Sequence, residues 1–209
     1  MADVDFFFDP ICPWAWITSR WVVEVARLRD LDVEWRFISL RIVNEHRDYE
    51  TEFPPGYPEI HGLGLRLLRV AAAARQEAGN TAVAALYTEF GRVIHRERRR
   101  PEAGQPEVVE SALHKAGLPA HLASALDGRD YDPVIREETA LALERAGSEV
   151  GTPIITFGPP DGPSFFGPVI SRLPRGQEAV DLWEAVERLA RFRGFAELKR
   201  SLRDTLQIP

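Results

Sequence analysis

The pattern of hydrophobic and polar residues divides the chain into three parts. Val4 to Phe8 is a short apolar, aromatic-rich run of the kind that forms a buried strand. Cys12 to Arg29 has apolar positions at helical spacing, and Asp30 to Leu40 alternates apolar with charged residues, as a half-buried strand does. A strand, a helix and a strand within about forty residues predict a βαβ unit with a parallel strand pair.

The middle of the chain is predicted to be helical. Residues 53–58, with three prolines and a glycine, indicate a loop, and helical patterns then continue to about Gly147. Proline and glycine separate most of these helices. We expect them near Leu65–Ala78, Thr81–Arg99, Pro106–Ala116, Pro119–Ala125 and Pro133–Ala146.

Strand patterns return after this helical block. Thr152 to Phe157 is short and rich in β-branched residues, a turn rich in proline follows, and Ser164 to Gly167 completes a hairpin. An amphipathic helix through Ala179 and Leu189 comes next, and a last short helix is expected from about Phe195 to Leu206.

The order of these elements predicts the fold class. Without the middle helices the chain has a βαβ half followed by a ββα half, which is the order of an α/β thioredoxin-like fold. We therefore expect residues 1–45 and 150–209 to form a thioredoxin-like domain. Residues 46–149 would be a helical insertion between its halves, in the position of a lid.

Composition narrows the class of protein. The 209 residues are 44% hydrophobic and include five tryptophans, enough for a substantial core. A net charge of −6 argues against a nucleic-acid partner, and no segment has the length and apolarity of a membrane span. The single cysteine forms no internal disulfide, which fits a cytoplasmic protein. The oligomeric state does not follow from the sequence.

The single cysteine, Cys12, is the main candidate for chemistry. It follows a strand that Asp9 and Pro10 interrupt, and Pro13 suits the first position of the next helix. A thiol at a helix N-terminus lies near free N–H groups and the positive end of the helix dipole. We therefore expect its pKa to be lowered and its thiolate to be reactive. The alternative is that Cys12 is a small buried hydrophobic residue.

Ala15 stands where a dithiol site would have its second cysteine. Without that residue Cys12 can attack a disulfide or an electrophile, but no neighbouring thiol can resolve the bond that forms. The sequence therefore predicts a monothiol site.

The segment before the third predicted strand, around Thr152 and Pro153, is the second candidate. Given the order of elements, we expect a cis peptide bond between these residues, although a strand that merely begins with proline is the commoner case. In a thioredoxin-like fold this loop faces the cysteine, and its backbone edge can pair with a bound substrate.

Other chemistries lack the residues that they require. The five histidines show no zinc-ligand spacing, and one cysteine excludes a thiolate-rich metal site. No glycine-rich phosphate loop or dinucleotide fingerprint follows a strand. The sequence therefore predicts no metal and no tightly bound cofactor.

Through these motifs the chain resembles the DsbA-like thiol oxidoreductases, and among them it is most similar to the mycothiol-dependent nitroreductases. Four segments carry the resemblance: FDPICPWAWITSRW (8–21), SLRIVNEHRD (39–48), VGTPIITF (150–157) and FFGPVISRLPRG (165–176). Those relatives usually have Cys-Pro-Trp-Cys, so Ala15 is a departure. The resemblance implies a thioredoxin fold with a helical lid and a reductase or thiol-transferase that uses a low-molecular-weight thiol.

The resemblance also implies roles for particular residues. Cys12 would be the nucleophile, and the predicted substrate-binding residues are Pro13, Trp14, Ala15, Asn44, Tyr57, His95, Thr152 and Pro153. Four of these have ordinary structural alternatives. The alternative for Trp14 is packing, which is less common at a helix tip; for Asn44 it is a loop or helix-cap role, for Tyr57 a cover over the core, and for His95 a structural role within its helix.

The expected function is a thiol-disulfide oxidoreductase in which one cysteine works with a low-molecular-weight thiol, mycothiol or a similar molecule, as co-substrate. Its other partner would be a small disulfide or electrophile. Two alternatives remain: a thiol-dependent isomerase or transferase of related fold, and a member that binds a ligand without catalysis.

Overall fold

A four-stranded sheet lies at the centre of the computed structural model, which describes residues 2–200 and 204–209. Its strands are β1 (Val4–Phe8), β2 (Val33–Phe37), β3 (Ile154–Phe157) and β4 (Ser164–Phe166), in the order β2-β1-β3-β4. β1 pairs with β2 in parallel and with β3 antiparallel, and β3 pairs with β4 antiparallel. This is the βαβ and ββα arrangement that the hydrophobic pattern predicts.

Eight α-helices surround the sheet over the described residues. They are α1 (Pro13–Arg29), α2 (Leu40–Val43), α3 (Tyr49–Glu52), α4 (Tyr57–Ala78), α5 (Asn80–Gly91), α6 (Pro106–Lys115), α7 (Asp132–Ala146) and α8 (Gly176–Arg191). A π-helical turn (Arg92–Arg96) follows α5, and 3-10 turns cover Arg100–Glu102 and Ala120–Leu126.

Three predicted helix boundaries are wrong. Helix α4 begins at Tyr57 inside the predicted loop, because Pro58 is tolerated in a first helical turn, where its missing N–H leaves no bond unmade. The helix predicted over Thr81–Arg99 ends as an α-helix at Gly91 and passes into the π-helical turn. The stretch predicted as a helix over Pro119–Ala125 is a 3-10 turn.

The predicted last helix, Phe195–Leu206, is also wrong over residues 195–200 and 204–206, and residues 201–203 lie outside the described residues. Helices this short need a packed apolar face. Leu198 is instead 81% exposed. Tertiary contacts hold the tail: Phe195 stacks on Phe165, and the Gln207 N–H donates to the Ser171 carbonyl at 2.7 Å.

The sheet buries both of its faces, as alternation along β1 requires. Phe6 and Phe8 join the large core cluster with α1, and this cluster continues into the helices between β2 and β3. Phe7 points the other way and packs with Ile154 and with Ala142 of α7. The proposed division into residues 1–45 with 150–209 and residues 46–149 stays a prediction.

Buried charges fasten α7 to the sheet. Asp5, 1% exposed, lies 3.0 Å from Arg36 Nε and 2.8 Å from an Arg145 guanidinium nitrogen of α7. Glu138, also on α7, accepts from Arg36 at 3.1 Å and from Arg75 of α4 at 2.9 Å. Asp5 and Glu138 thus each have oppositely charged partners, which offset the cost of burying their charges.

Among the described residues, no helix has both the length and the apolar character that crossing a membrane would require.

Candidate functional site

Cys12 caps the N-terminus of α1. Its backbone is extended, with φ −80° and ψ 114°, and Pro13 occupies the first turn. The Ala15 N–H donates to the Cys12 sulfur at 3.5 Å, while the Cys12 N–H is held by the Asp9 carbonyl at 3.0 Å. The thiol therefore takes the place of a serine or aspartate N-cap, as its position before Pro13 predicts.

The loop before β3 lies against this thiol. The Cys12 S–H donates to the Thr152 carbonyl at 3.4 Å, across 140 residues of sequence. The Thr152–Pro153 peptide bond is cis. The Thr152 hydroxyl donates to the Phe7 carbonyl at 3.1 Å, which attaches the loop to β1. The expected meeting of Cys12 with the Thr152–Pro153 loop is thus present.

The expected low pKa of Cys12 is not found in this arrangement. Only 7% of the residue is exposed, and burial raises the pKa of the thiol to about 12. The N–H groups of Ala15 and Trp14 act in the opposite direction, but the nearby charge of Asp9 adds to the increase. The helix terminus does favour the thiolate, and loss of solvent outweighs it because a buried anion is costly.

Asp9 is a functional candidate that the sequence analysis treated only as the end of a strand. It is fully buried, and its carboxylate accepts from the N–H groups of Ile11 at 3.1 Å and Leu40 at 2.8 Å. Burial raises its pKa to about 7, against the lowering effect of those two bonds. The feature of the sequence that could have identified Asp9 as a site residue is its position three residues before the cysteine.

Gly64 of α4 allows this helix to approach Asp9 closely. A β-carbon at that position would lie 2.4 Å from one Asp9 carboxylate oxygen and 2.9 Å from a side-chain carbon of Ile11. The buried carboxylate is therefore sealed by backbone. Polar groups sealed in this way need hydrogen-bond partners, which here are the two N–H groups.

His95 contacts the cysteine loop directly. Its Nε2 donates to the Pro10 carbonyl at 2.9 Å, and its ring stacks on Trp16 with centroids 5.9 Å apart. Burial lowers the pKa of His95 to about 4, so the neutral ring is the relevant form near neutral pH. Its hydrogen bond gives it a structural role, and its role in substrate binding stays a prediction.

Asn44 closes the short helix α2. Its side-chain N–H donates to the Leu40 carbonyl at 2.8 Å, and the Leu40 N–H in turn donates to Asp9. Asn44 is 9% exposed. It is thus a helix-cap residue, one hydrogen-bonded step from the buried carboxylate.

Tyr57 belongs to an aromatic cluster at the start of α4, formed with Tyr49, Phe53 and His61. The Tyr49 hydroxyl bonds His61 Nδ1 at 2.9 Å, and Tyr57 itself is 36% exposed. His61 is one helical turn from Gly64, so the cluster lies close to the Asp9 loop. His61 and the cluster were not identified from the sequence.

The remaining predicted residues surround the thiol at the helix tip. Pro13 and Trp14 are half-buried, and Trp14 packs against the main core. Ala15 is fully buried, on the turn whose N–H meets the Cys12 sulfur. The position where a dithiol site would have its second cysteine is therefore next to the Cys12 sulfur, in the first turn of α1.

Within the part of the chain that is described, no group of three or more histidine, cysteine, aspartate or glutamate side chains is arranged to hold a metal ion.

Three solved structures share this fold. The probable DsbA oxidoreductase SCO1869 of Streptomyces coelicolor superposes with a TM-score of 0.57 at 16% identity, over 98% of this chain and 94% of its own. The cytosolic disulfide reductase DsbM of Pseudomonas aeruginosa gives 0.55 at 21%, over 90% and 99%. A 2-hydroxychromene-2-carboxylate isomerase gives 0.58 at 17%, over 93% and 99%. The thioredoxin-like α/β class is thereby confirmed.

Sequence comparison is more specific than the fold. The protein Rv2286c of Mycobacterium tuberculosis, described as uncharacterized, is 30% identical over 206 residues, which are 96% of this chain and 82% of the relative. The family model Rv2466c-like, described as mycothiol-dependent nitroreductase Rv2466c, matches residues 11–200. That range includes Cys12, the helices between β2 and β3, and the Thr152–Pro153 loop. The chain therefore belongs to the Rv2466c-like family of mycothiol-dependent nitroreductases, with the DsbA-like fold that its motifs predict.

Proposed function

We propose that this protein is a thiol-dependent oxidoreductase that works through Cys12 alone, with a low-molecular-weight thiol such as mycothiol as co-substrate. The other substrate is a small disulfide or electrophile, and the thiol pool of the cytoplasm supplies the electrons. The family and the single cysteine support this proposal. Its main structural support is the thiol at the tip of α1, 3.4 Å from the Thr152 carbonyl.

The reaction proceeds through a mixed disulfide. The Cys12 thiolate attacks one sulfur of a small disulfide, forms a Cys12–S–S–R bond and releases the second sulfur as a thiolate. A free small thiol then attacks the mixed disulfide, regenerates Cys12 and leaves as a small-molecule disulfide. This free thiol does the work of the second cysteine of a dithiol site, which is absent because residue 15 is alanine.

Thiolate formation requires a change around Cys12, because burial and Asp9 keep the thiol protonated in this arrangement. A substrate backbone that pairs with the Thr152 carbonyl would displace the S–H bond to that oxygen. Protonation of Asp9, whose pKa is about 7, would remove the nearby negative charge. Both changes favour the thiolate near neutral pH.

The test is turnover of 2-hydroxyethyl disulfide with excess mycothiol, with intact-mass analysis of the protein. The wild type should turn over and carry a mycothiol adduct on Cys12, whereas Cys12→Ser should lose both. A wild type without adduct or turnover would contradict the proposal.

A second candidate is a thiol-dependent isomerase or transferase in which the bound small thiol reacts and Cys12 orients it. The raised pKa of Cys12 favours this candidate, since a neutral S–H can donate a hydrogen bond to a bound sulfur. Cys12→Ser keeps a donor at this position. Retained activity in that variant, without any covalent adduct in the wild type, would select the second candidate over the first.

Ala15→Cys tests whether the site is a monothiol form of a dithiol site. Residues 12 and 15 lie one helical turn apart, so two sulfurs there can bond with little backbone movement. The variant should form an internal disulfide on mild oxidation and gain insulin reductase activity, whereas Ala15→Ser should do neither. Two free thiols after oxidation would count against the site as described.

A further inference from the structure

A groove beside the middle of α1 contains arginines whose charge is unusual in an acidic protein. Its volume is about 320 Å³, and α1, α5, the π-helical turn and the segment after β4 enclose it. Arg20, Arg92, Arg96 and Arg175 line it, and Glu24 is its only acidic side chain among the described residues. Cys12 is not among the lining residues.

Most of the positive charge in this groove is uncompensated. Arg92 is paired with Glu89 at 2.9 Å and with Glu97. Among the described residues, Arg20, Arg96 and Arg175 have no carboxylate within ion-pair distance. Glu24 is partly used elsewhere, since it accepts from the Gly176 N–H at 3.1 Å. Pro209 lines the rim, and no ion pair of the described residues joins it to these arginines.

Arg20 is held in a fixed position in this groove by its neighbours. Its guanidinium lies 4.2 Å from the centre of the Trp16 ring, and it donates to the Ser19 and Thr88 hydroxyls at 3.1 Å and 2.8 Å. Its remaining terminal nitrogen, Nη2, is buried and has no hydrogen-bond partner among the residues that the structure describes. The charge of this guanidinium has no carboxylate partner among the described residues, and an anion in the groove that Arg20 lines would supply one.

Trp16 supplies the second independent observation. It is only 4% exposed and it lines the groove, and its buried indole N–H has no partner within the described part of the chain. The ring reaches this position because residue 91 is glycine: a β-carbon there would lie 2.1 Å from the indole. Val23 and Leu173 complete an apolar wall. The groove thus combines cations that lack carboxylate partners among the described residues with hydrophobic surface.

We propose that this groove binds an organic anion, with its carboxylate or phosphate at Arg20 and its apolar body against Trp16, Val23 and Leu173. Arg96 and Arg175, both exposed at the rim, attract the anion and contribute to its retention. The site is independent of the chemistry of Cys12. Binding is therefore measured on Cys12→Ser, so that failure of the proposed oxidoreductase activity leaves this test intact.

The experiment is calorimetric titration of Cys12→Ser with hexanoate, hexyl phosphate and 1-hexanol. At least one anion should bind at least about tenfold more tightly than the neutral alcohol, and added salt should weaken it. Whichever anion binds better identifies the head group. Equal binding of the alcohol and the anions, or no binding of any of the three, would overturn the proposal.

Variants on the Cys12→Ser background localise the site. Arg175→Gln and Arg96→Gln, at exposed positions, should each weaken anion binding about threefold, and Arg20→Met should weaken it about tenfold or more. Arg172→Gln is the matched control, because Arg172 lies three residues from Arg175, pairs with Glu178 and does not line the groove. Equal losses for Arg172→Gln and Arg175→Gln would mean a diffuse effect and overturn the assignment. The exposed variants keep the test valid if Arg20→Met folds poorly.

Discussion

Two carboxylates at opposite ends of β1 are both buried, and the fold treats them differently. Asp5 lies within 3.0 Å of nitrogens from two arginines, Arg36 and Arg145. Among the described residues, the partners of the Asp9 carboxylate are only the backbone N–H groups of Ile11 and Leu40, and burial raises its pKa to about 7. The comparison separates a structural buried charge, which is compensated, from a buried group that can change its protonation near neutral pH.

The neighbours of the two carboxylates match this distinction. Around Asp5, Arg36 also binds Glu138, and the whole network ties α7 to the sheet. Asp9 lies near Cys12, whose pKa its charge raises, and it accepts from the Ile11 N–H in the loop that leads into α1. The buried carboxylate with arginine partners, Asp5, therefore belongs to the network that holds α7 to the sheet. The buried carboxylate that has only backbone partners among the described residues, Asp9, lies at the candidate site.

The largest effect is expected from removing the compensated charge. Asp5→Ala leaves both Arg36 and Arg145 without their shared carboxylate in a largely buried network, so it should lower the free energy of unfolding by about 5 kcal/mol. Urea denaturation measures this change. Asp3→Ala, at an exposed position on the same strand edge, is the control and should cost about 1 kcal/mol or less. Equal losses in both variants would contradict the structural role of Asp5.

The next effect is a pH dependence of stability that belongs to Asp9. Its folded-state pKa of about 7 lies above the ordinary value of 3.8, so between these values only the folded state binds the proton. Stability contributed by this group is therefore present at low pH and is lost as pH rises towards 7, on the order of 4 kcal/mol in total. Unfolding of wild type and Asp9→Asn should be compared from pH 4 to 8.

The comparison with Asp9→Asn is needed because two histidines act in the opposite direction. His61 and His95 have pKa values lowered to about 4, so their contribution grows as pH rises from 4 to about 6.5. These contributions cancel in the difference between the two curves. Parallel curves for wild type and Asp9→Asn would show that Asp9 does not carry the raised pKa.

A smaller effect concerns the reactivity of Cys12. Asp9→Asn removes a negative charge that raises the pKa of the thiol, so iodoacetamide should alkylate the variant about threefold to tenfold faster at pH 8. Asp5→Asn is the matched control, since the charge of Asp5 is offset by its two arginines, and its alkylation rate should stay unchanged. An unchanged rate in Asp9→Asn would separate Asp9 from the chemistry of Cys12.

The smallest effect is expected for a solvent-exposed ion pair, whose contribution to the free energy of unfolding can be compared with that of the buried Asp5 pairs. Glu187 and Arg191 face solvent on α8, with side chains 31% and 54% exposed. Glu187→Gln should change the free energy of unfolding by only about 0.3–0.5 kcal/mol, because water screens the pair and competes for both groups. A loss as large as that of Asp5→Ala would mean that burial does not explain the difference between these pairs.

Much of the fold follows from local sequence. The apolar run of β1, the alternation of β2 and Pro13 after Cys12 predict a βαβ unit with the thiol at a helix tip, and all three features are present. These predictions succeed because strand alternation, helix periodicity and capping depend on residues only a few positions apart.

The predicted pocket residues are a less direct case. Asn44, Tyr57 and His95 each lie on an element that contacts the Asp9–Cys12 loop. Their roles in binding stay predictions, and each also has a structural bond or ring contact. Asp9 and Trp16 did not stand out as candidates in the sequence, because an aspartate that ends a strand and a tryptophan on a helix face have common structural uses.

The sequence by itself determined which segments form strands and helices and where Cys12 stands on its helix. The tertiary structure decided the electrostatics of the site. The pKa of Cys12 depends on burial beneath a loop 140 residues away, and the cation beside Asp5 comes from α7 across the same separation. Burial and charge compensation are sums over neighbours that the folded chain brings together, so no local pattern contains them. The same reason explains Arg20, whose burial depends on contacts with Trp16 of its own helix and Thr88 of α5.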